Sequence, residues 1–421
     1  MFGYSWALPQ IMKLCGLDTF MTTKISWNQY NEIPDDLFRW RGIDGTEVLT
    51  YFVDTPGEGQ DISTRYATYN GLLTPHSVLG SWKKFKNKEL SKDVLISYGY
   101  GDGGGGVTRD MLEMRRRMDR LPGLPHVKTD TAREFFHKIH EDVQNTDQYV
   151  HTWDGELYLE YHRGTYTSQA YNKKMNRRLE NKLAQTECLS SIAYILGGSY
   201  DQEAINDSWE CVLLHQFHDI LPGSSIARVM RSGEGRWGPC LRMPASWQEG
   251  SAKALTDQVR RSCTRSLILS AFARKELVSL PECFASGAET ADGEAIPVQA
   301  AQGTVKALVT IPSCGAVTLI PCETAGSLPE GASIAVTEDG YRMENALIAA
   351  EINRNGEVTS FVLKGSGREF AASPMNRFRM YKDVPRMFDA WDIDSNYVDQ
   401  EVEAAADITT EILAEGLEAV L

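Results

Sequence analysis

The first 150 residues alternate β-rich runs with helical patterns, and this alternation restricts the fold more than any other feature of the chain. Turn-forming residues separate the runs, and the helical runs repeat apolar residues every three or four positions. Strand, loop and helix in repeated order predict a parallel or mixed sheet. The predicted strands are 19–23, 47–53 and 94–98, and the predicted helices are 5–15 and 111–121.

In α/β folds the chemistry lies on loops that follow the carboxyl ends of the strands. Lys24, Asp54 and Asp102 occupy such positions. Asp102 lies in the glycine-rich loop 99–106, for which three interpretations stay open. In the first, the backbone of the loop binds phosphate; in the second, the loop holds a lone carboxylate for proton transfer; in the third, it is a flexible turn. The phosphate interpretation is weak because no Lys-Ser or Lys-Thr follows.

Residues 165–232 have a helical pattern. One apolar stripe ends at Gly197-Gly198, and a second is expected to end at Pro222-Gly223. The basic residues opposite the first stripe are interpreted as a solvated helix face. The first stripe comprises Met175, Leu179, Leu183, Leu189, Ile192 and Leu196, the second Ile205, Trp209, Val212 and Leu213, and the basic face Lys173, Lys174, Arg177, Arg178 and Lys182.

From about residue 266 onward, short β-rich runs alternate with Gly, Pro and Asn, which predicts a β-sandwich. Residues 346–352 and 357–363 flank the turn signal Asn353-Arg354-Asn355-Gly356 and are predicted to form a hairpin. Residues 229–262 lack the helical periodicity of the preceding segment. We interpret them as a linker or as the product of a local reading-frame error in the gene.

Composition excludes several classes of protein. The 421 residues predict about two to four domains. The net charge of −14 argues against nucleic acid and anionic membranes as partners. No apolar run reaches membrane-spanning length, and the first residues show no basic region followed by an apolar core, so we expect neither a membrane span nor a signal peptide. The eight cysteines are scattered without a CxxC pair, so we expect free, buried thiols and a cytoplasmic location.

The stretch 215–223 places His218 beside Asp219 near the predicted helix end. An imidazole and a carboxylate in one pocket suit a metal ligand with a neighbouring substrate-binding group. The structural alternative is a core histidine with a solvated aspartate. Residues 153–168 are rich in aromatic and polar side chains, as in sugar sites, although a domain junction with buried tyrosines has the same composition.

Taken together, six motifs in order resemble the α-mannosidases of glycoside hydrolase family 38, in the bacterial and cytosolic-type branch. The stretch DAWDID at 389–394 also resembles the β-domain of that family. The resemblance extends over nearly the whole chain except about 229–262. The motifs are FGYSWALPQ at 2–10, TTKISWN at 22–28, FRWRGIDG at 38–45, GDGGGG at 101–106, HRGTYTS at 162–168 and HDILPGSS at 218–225.

This resemblance implies a multidomain α/β, α and β fold with three parts. Residues 1–150 correspond to the C-terminal part of a (β/α) barrel-like catalytic domain. Residues 151–262 correspond to a helical, three-helix-bundle-like middle domain. Residues 263–421 correspond to the N-terminal part of a β-sandwich domain.

The implied activity is that of a zinc-dependent, retaining exo-α-mannosidase that removes terminal α-D-mannose from oligosaccharides. One Zn²⁺ is expected, with His218 as a ligand. Asp102 is the candidate general acid/base, and Lys24 is expected to stabilise the nucleophile. Asp219, Tyr166 and Trp27 are the candidate substrate contacts.

In the family pattern, the nucleophilic Asp lies two residues before the Phe of the FGYS motif, and a His-x-Asp zinc-binding pair lies further upstream. Phe2 is that Phe, so none of the 421 residues corresponds to the nucleophile. We therefore expect the chain to be a fragment of a mannosidase, truncated at both ends and inactive by itself. The alternative is a non-catalytic carbohydrate-binding protein. Homo-oligomerisation is possible by analogy with the family.

Overall fold

The computed structural model describes residues 2–231, 264–267, 272–301, 303–324, 326–327, 331–403, 408–416 and 419–420. By their internal contacts these residues divide into two units. Unit 1 comprises 1–168, 222–224 and 385–393. Unit 2 comprises 169–221, 225–384 and 394–421. The predicted boundaries at 150/151 and 262/263 stay predictions.

A mixed four-stranded sheet organises unit 1, as the strand and helix pattern predicts. In the order β1-β3-β2-β4, β1 runs parallel to β3, β3 antiparallel to β2, and β2 parallel to β4. Because β1 and β3 are parallel neighbours, the loops after them begin at the same edge of the sheet. The strands are β1 (Thr19–Thr22), β2 (Leu37–Arg41), β3 (Glu47–Phe52) and β4 (Thr152–Asp154).

Successive side chains of a strand point to opposite faces of the sheet, and both faces are buried here. Phe38, Trp40 and Phe52 belong to one core cluster, whereas Leu37 and Tyr51 belong to another. The helices of unit 1 are α1 (Leu8–Leu14), α2 (Pro75–Lys84), α3 (Arg109–Met118) and α4 (Ala132–Asn145). Threonine side chains cap α2, α3 and α4 by accepting hydrogen bonds from backbone N–H groups of the first turn.

The predicted strand at 94–98 is wrong. This segment makes a single bridge, between Gly71 and Tyr98, and joins no sheet. The backbone N–H of Leu95 instead donates to the hydroxyl of Tyr51 at 3.0 Å. The segment is β-rich because Val94 and Leu95 pack on the core cluster that contains Tyr51, not because it pairs with another strand.

Unit 2 begins with two packed helices, α5 (Ala170–Ile195) and α6 (Gln202–His215). Met175, Leu179 and Leu183 form their shared core with Val212, as the stripes predict. The end of α5 is also confirmed, since Gly197 follows it with a φ of 93°.

The second helix departs from its prediction in two respects. It ends at His215, well before Pro222, because residues 217–222 form turns in which Ile220 N–H donates to the Phe217 carbonyl at 2.9 Å. Leu213 is 59% exposed and so lies off the buried stripe, as does Leu196, the residue that follows α5. Of the stretch 229–262, residues 229–231 are helical, and the rest lies outside the described residues.

The remainder of unit 2 contains the predicted β-sandwich. Sheets β6-β10-β9 and β5-β11-β7-β8 share one core, to which Val305 and Val309 of β10 and Leu319 of β11 contribute. The strands are β5 (Thr264–Leu267), β6 (Arg274–Leu280), β7 (Ala288–Thr290), β8 (Ala295–Ile296), β9 (Val298–Ala301), β10 (Thr304–Ile311) and β11 (Ala316–Pro321).

A further five-stranded antiparallel sheet, β12 to β16, contains the predicted hairpin. The two arms of the hairpin, β14 and β15, pair antiparallel, and Gly356 supplies the positive φ of 73° in the turn. The strands are β12 (Ser333–Val336), β13 (Gly340–Glu344), β14 (Ile348–Asn353), β15 (Val358–Leu363) and β16 (Arg368–Glu369), followed by the pair β17 (Met380–Tyr381) and β18 (Glu401–Val402).

The expectation of buried thiols is wrong for the cysteines that the structure describes. Cys15, Cys188 and Cys283 are free and exposed, and Cys322 is free and half-buried. These side chains lie outside the packed cores that the periodic apolar residues form. Among the described residues, no helix combines the length and apolar character needed to cross a membrane.

Candidate active site

The glycine-rich loop holds Asp102 at its tip. Reciprocal hydrogen bonds of 2.8 Å between the backbones of Tyr100 and Gly106 close the loop. Asp102 has a φ of 52°, a left-handed conformation that its short polar side chain tolerates. The Asp102 carboxylate accepts hydrogen bonds from the Tyr69 hydroxyl at 3.0 and 3.1 Å and from Asn70 Nδ2 at 3.1 Å. The loop therefore presents an exposed carboxylate in a fixed orientation.

Lys24 lies beside this carboxylate, between two aromatic faces. Its Nζ is 4.0 Å from the ring centroid of Trp27 and 4.7 Å from that of Tyr69. Burial lowers the pKa of Lys24, and the negative charge of Asp102 partly opposes this effect. Lys24 and Trp27 share a short 3₁₀ helix directly after β1. The structure thus brings together three of the predicted residues, Lys24, Trp27 and Asp102.

Tyr166 is held by a different part of unit 1. Its hydroxyl donates to the Phe2 carbonyl at 2.8 Å. Its ring is 51% exposed and nearly parallel to that of Tyr158, with 6.4 Å between the centroids. Exposed aromatic faces of this kind suit the C–H faces of a sugar ring.

A buried histidine packs against the same N-terminal segment. The ring of His162 stacks between Phe2, at 4.5 Å, and Trp391, at 4.8 Å, and is 1% exposed. Neither ring nitrogen of His162 has a hydrogen-bond partner. Burial, together with the positive charge of Lys24, lowers the pKa of His162 to about 4. The imidazole is therefore neutral at physiological pH.

His218 and Asp219 belong to unit 2, in the turns after α6. His218 Nε2 lies 3.4 Å from the nearer carboxylate oxygen of Asp219, and about half of the imidazole is exposed. His215, by contrast, is buried and donates from Nδ1 to the Cys211 carbonyl at 2.7 Å. The exposed pair corresponds to the predicted ligand and its neighbour.

These residues do not by themselves form a complete zinc site. A structural zinc has four protein ligands and a catalytic zinc has three. Within the described ranges, no three His, Cys, Asp or Glu side chains come together as a metal site. His218 and Asp219 supply one nitrogen and one carboxylate, which is a partial donor set.

Sequence reasoning missed Tyr69 and Asn70, which orient Asp102. No motif or periodicity distinguishes them, because they reach the loop only through tertiary contact. His162 lies within a recognised motif, but its burial between two rings depends on Trp391, which is distant in sequence.

Comparisons with known proteins match the chain in three consecutive parts. Residues 1–156 match the glycosyl hydrolases family 38 N-terminal domain, 160–255 the alpha mannosidase middle domain, and 343–420 the glycosyl hydrolases family 38 C-terminal domain. Alpha-mannosidase 2C1 of Homo sapiens is 33% identical over 401 residues, which is 93% of this chain and 35% of that protein. An alpha-mannosidase of Saccharomyces cerevisiae is 41% identical over 239 residues, which is 55% of this chain and 21% of that protein.

A solved structure has a similar fold. The crystal structure of an alpha-mannosidase from Enterococcus faecalis V583 aligns with a TM-score of 0.60 and 18% identity. It covers 88% of this chain and 47% of that one. The chain thus spans about a third of the human relative and about half of the solved structure. On these matches and the ordered motifs, the chain belongs to glycosyl hydrolase family 38.

Proposed function

We propose that this chain belongs to a zinc-dependent, retaining exo-α-mannosidase that hydrolyses terminal α-D-mannose from oligosaccharides. The observation that carries the proposal is the orientation of Asp102 by Tyr69 and Asn70, next to Lys24 and Trp27. A carboxyl held at a loop tip beside aromatic faces suits proton transfer to a glycosidic oxygen.

Each residue has a separate role in this proposal. Asp102 donates a proton to the leaving oxygen and later removes one from the attacking water, as the acid/base of a retaining glycosidase does. The Lys24 ammonium contributes positive charge that favours a nearby nucleophilic carboxylate. Trp27 and Tyr166 offer ring faces to the sugar, and Asp219 binds its hydroxyls.

His218 is proposed as one zinc ligand. Zinc supplies a Lewis acid for the sugar hydroxyls, and an imidazole is a common ligand for it. Because the described residues provide only a partial donor set, we derive no catalytic step from the metal. The cytoplasmic location and self-association stay predictions.

Hydrolysis of an aryl α-D-mannoside, with and without added zinc, tests the catalytic part. A retaining glycosidase needs a second carboxyl roughly 5–5.5 Å from the acid/base. The family pattern assigns it to a position that none of the 421 residues occupies, so we expect no turnover above buffer from this polypeptide alone. Zinc-stimulated turnover that Asp102→Asn and His218→Ala abolish would overturn this inactivity but support the mannosidase assignment.

Sugar binding tests the assignment in the absence of turnover. We expect saturable binding of methyl α-D-mannoside that exceeds binding of the glucoside and that Trp27→Ala weakens. The exposed Tyr149→Ala variant serves as a control. The assignment fails if the chain neither hydrolyses nor binds mannosides. Mannoside binding that is indifferent to zinc and to Asp102→Asn favours a non-catalytic sugar-binding protein instead.

A further inference from the structure

Unit 1 contains a cavity away from the candidate active site, lined by α2, α3, α4 and the segments 92–98 and 125–130. Its volume is about 480 Å³. Pockets of roughly 300–1,000 Å³ are typical for small organic ligands. None of the predicted site residues lines this cavity, so the proposed mannosidase chemistry does not account for it.

The cavity is lined by apolar and by charged or polar side chains in similar proportion, and its apolar part includes two aromatic rings. Trp82 lies on α2 and Phe135 on α4, while Leu95 and Ile96 come from the extended segment between them. Phe135 and Leu95 belong to one core cluster and Ile96 to another, so the cavity lies between two packed cores. Such walls suit a flat ring or a short aliphatic chain.

One cationic side chain at this cavity has a buried nitrogen without a hydrogen-bond partner. Arg115 of α3 lines the cavity, and its Nε is buried without a hydrogen-bond partner. Three lysines also line the cavity. Lys138 pairs with Asp93, and Lys128 pairs with Asp130 at 2.6 Å. The ammonium of Lys92 donates a hydrogen bond to the backbone carbonyl of Lys88. Burying an unpaired guanidinium N–H costs free energy, which an anionic ligand with two acceptor oxygens recovers.

Another cavity of unit 1 shows the contrast. It has a volume of about 320 Å³ and lies next to Asp54. Two of the lysines that line it form ion pairs there: Lys84 pairs with Asp54 at 2.6 Å, and Lys86 pairs with Glu32 at 2.9 Å. Of these two cavities, only the one at Arg115 is lined by a described side chain with a buried nitrogen that has no hydrogen-bond partner.

We propose that the cavity at Arg115 binds a small organic monoanion, with a carboxylate on the guanidinium and an apolar ring against Trp82 and Phe135. The charge and apolar body of this ligand distinguish it from a neutral, hydroxyl-rich mannoside. The residues that line this cavity are also different from those of the proposed active site, so the two sites are separate.

The location of the cavity gives a second readout. Ile96 and Tyr98 line it directly before the glycine-rich loop, and Arg115 lines it on the helix directly after that loop. A ligand that contacts both flanks restrains them together. Hydrogen exchange of backbone amides is therefore expected to slow in 94–98 and in α3 when the ligand binds.

Benzoate titration of the 421-residue chain, followed by ligand-observed NMR, tests the proposal, with benzyl alcohol as the neutral probe of similar shape. We expect benzoate to bind with a Kd on the order of 1 mM or tighter, and benzyl alcohol to bind at least about tenfold more weakly. Arg115→Gln is expected to weaken benzoate binding by a similar factor. Arg117→Gln, on the same helix but exposed and paired with Glu113, is the matched control and is expected to leave binding unchanged.

Three outcomes overturn the proposal. These are a lack of saturable benzoate binding to the wild-type chain, equal binding of benzoate and benzyl alcohol, and undiminished binding by folded Arg115→Gln. If Arg115→Gln does not fold, the comparison of the two probes and the exchange pattern of the wild-type chain decide. Slowed exchange confined to segments outside the cavity also contradicts the proposed site.

Discussion

Two buried ionisable side chains of unit 1, His162 and Asp36, have shifted pKa values. The pKa of His162 lies below that of an ordinary histidine, and the pKa of Asp36 lies above that of an ordinary aspartate. Burial and Lys24 lower the pKa of His162 to about 4. Burial raises the pKa of Asp36 to about 6, although the ammonium of Lys86, 3.6 Å away, opposes the shift. Burial favours the neutral form of each residue, so the stability of unit 1 depends on pH through both.

His162→Phe is expected to stabilise unit 1. Phenylalanine keeps the stack with Phe2 and Trp391 and removes two buried nitrogens without partners, a gain of about 1 kcal/mol near pH 7.5. When the pH falls below about 6.5, the ordinary pKa of histidine, His162 binds a proton in the unfolded wild type but stays neutral in the folded state. The advantage of the variant therefore grows as pH falls, by about 2 kcal/mol at pH 5.

Urea unfolding at pH 7.5 and pH 5, followed by hydrogen exchange of β2 and β3, measures this difference. His137→Phe is the control, because its imidazole is 75% exposed. A His162→Phe variant that is less stable than the wild type at both pH values would show that the ring nitrogens have partners.

Asp36→Asn is expected to show the opposite pH dependence. The folded pKa lies above an unfolded value of about 3.9, so the contribution of Asp36 to stability is present below pH 4 and is lost as pH rises through 6. Asparagine does not ionise, and Lys86 keeps its ion pair with Glu32. The free energy of unfolding of the variant should therefore rise relative to that of the wild type by about 2 kcal/mol between pH 4 and pH 7.

The same exchange-detected unfolding experiment at the two pH values checks this expectation. Asp147→Asn, at an exposed position, provides the comparison. A difference between Asp36→Asn and wild type that stays constant with pH would exclude Asp36 as the titrating group.

At the scale of elements, the helices α5 and α6 show how burial separates residues that the sequence treats alike. Leu179 is fully buried in the shared core, whereas Leu213, also predicted on an apolar stripe, is 59% exposed. Periodicity locates the face of a helix, but the neighbouring helix determines how wide the buried part of that face is.

Leu179→Ala should therefore destabilise unit 2 by about 2–5 kcal/mol, because it removes buried methyl groups and leaves a cavity. Leu213→Ala should change stability by less than about 0.5 kcal/mol, as is usual for surface positions. Thermal unfolding followed by circular dichroism compares the two variants. Equal losses in both would mean that Leu213 is buried.

Local signals account for the elements that were predicted correctly. The turn signal Asn353-Arg354-Asn355-Gly356 determines the hairpin of β14 and β15 within a few residues of chain. The segment 94–98 has equally β-rich composition, yet it forms no strand. Strand composition describes a half-buried surface, and only a partner strand with free hydrogen-bonding groups turns such a segment into part of a sheet.

At the scale of the whole molecule, each unit has its own cores. The mixed sheet of unit 1 is buried on both faces, and the sandwich of unit 2 encloses a separate apolar cluster. The predicted site residues belong to both units: Lys24, Trp27, Asp102 and Tyr166 to the first, and His218 and Asp219 to the second. The chain spans 35% of the human alpha-mannosidase 2C1 that it matches, so activity and substrate are proposals for the protein as a whole.

The sequence by itself determined the family, the order of the α/β, helical and β-rich parts, and the positions of Lys24 and Asp102. These features depend on ordered motifs and on periodicities that local chemistry imposes. Only the tertiary structure decided which groups orient Asp102, which described histidine is buried without partners, and where a guanidinium nitrogen without a partner lies at a cavity. Tyr69, His162 and Arg115 owe their roles to neighbours distant along the chain, and contacts between distant residues leave no pattern in a single sequence.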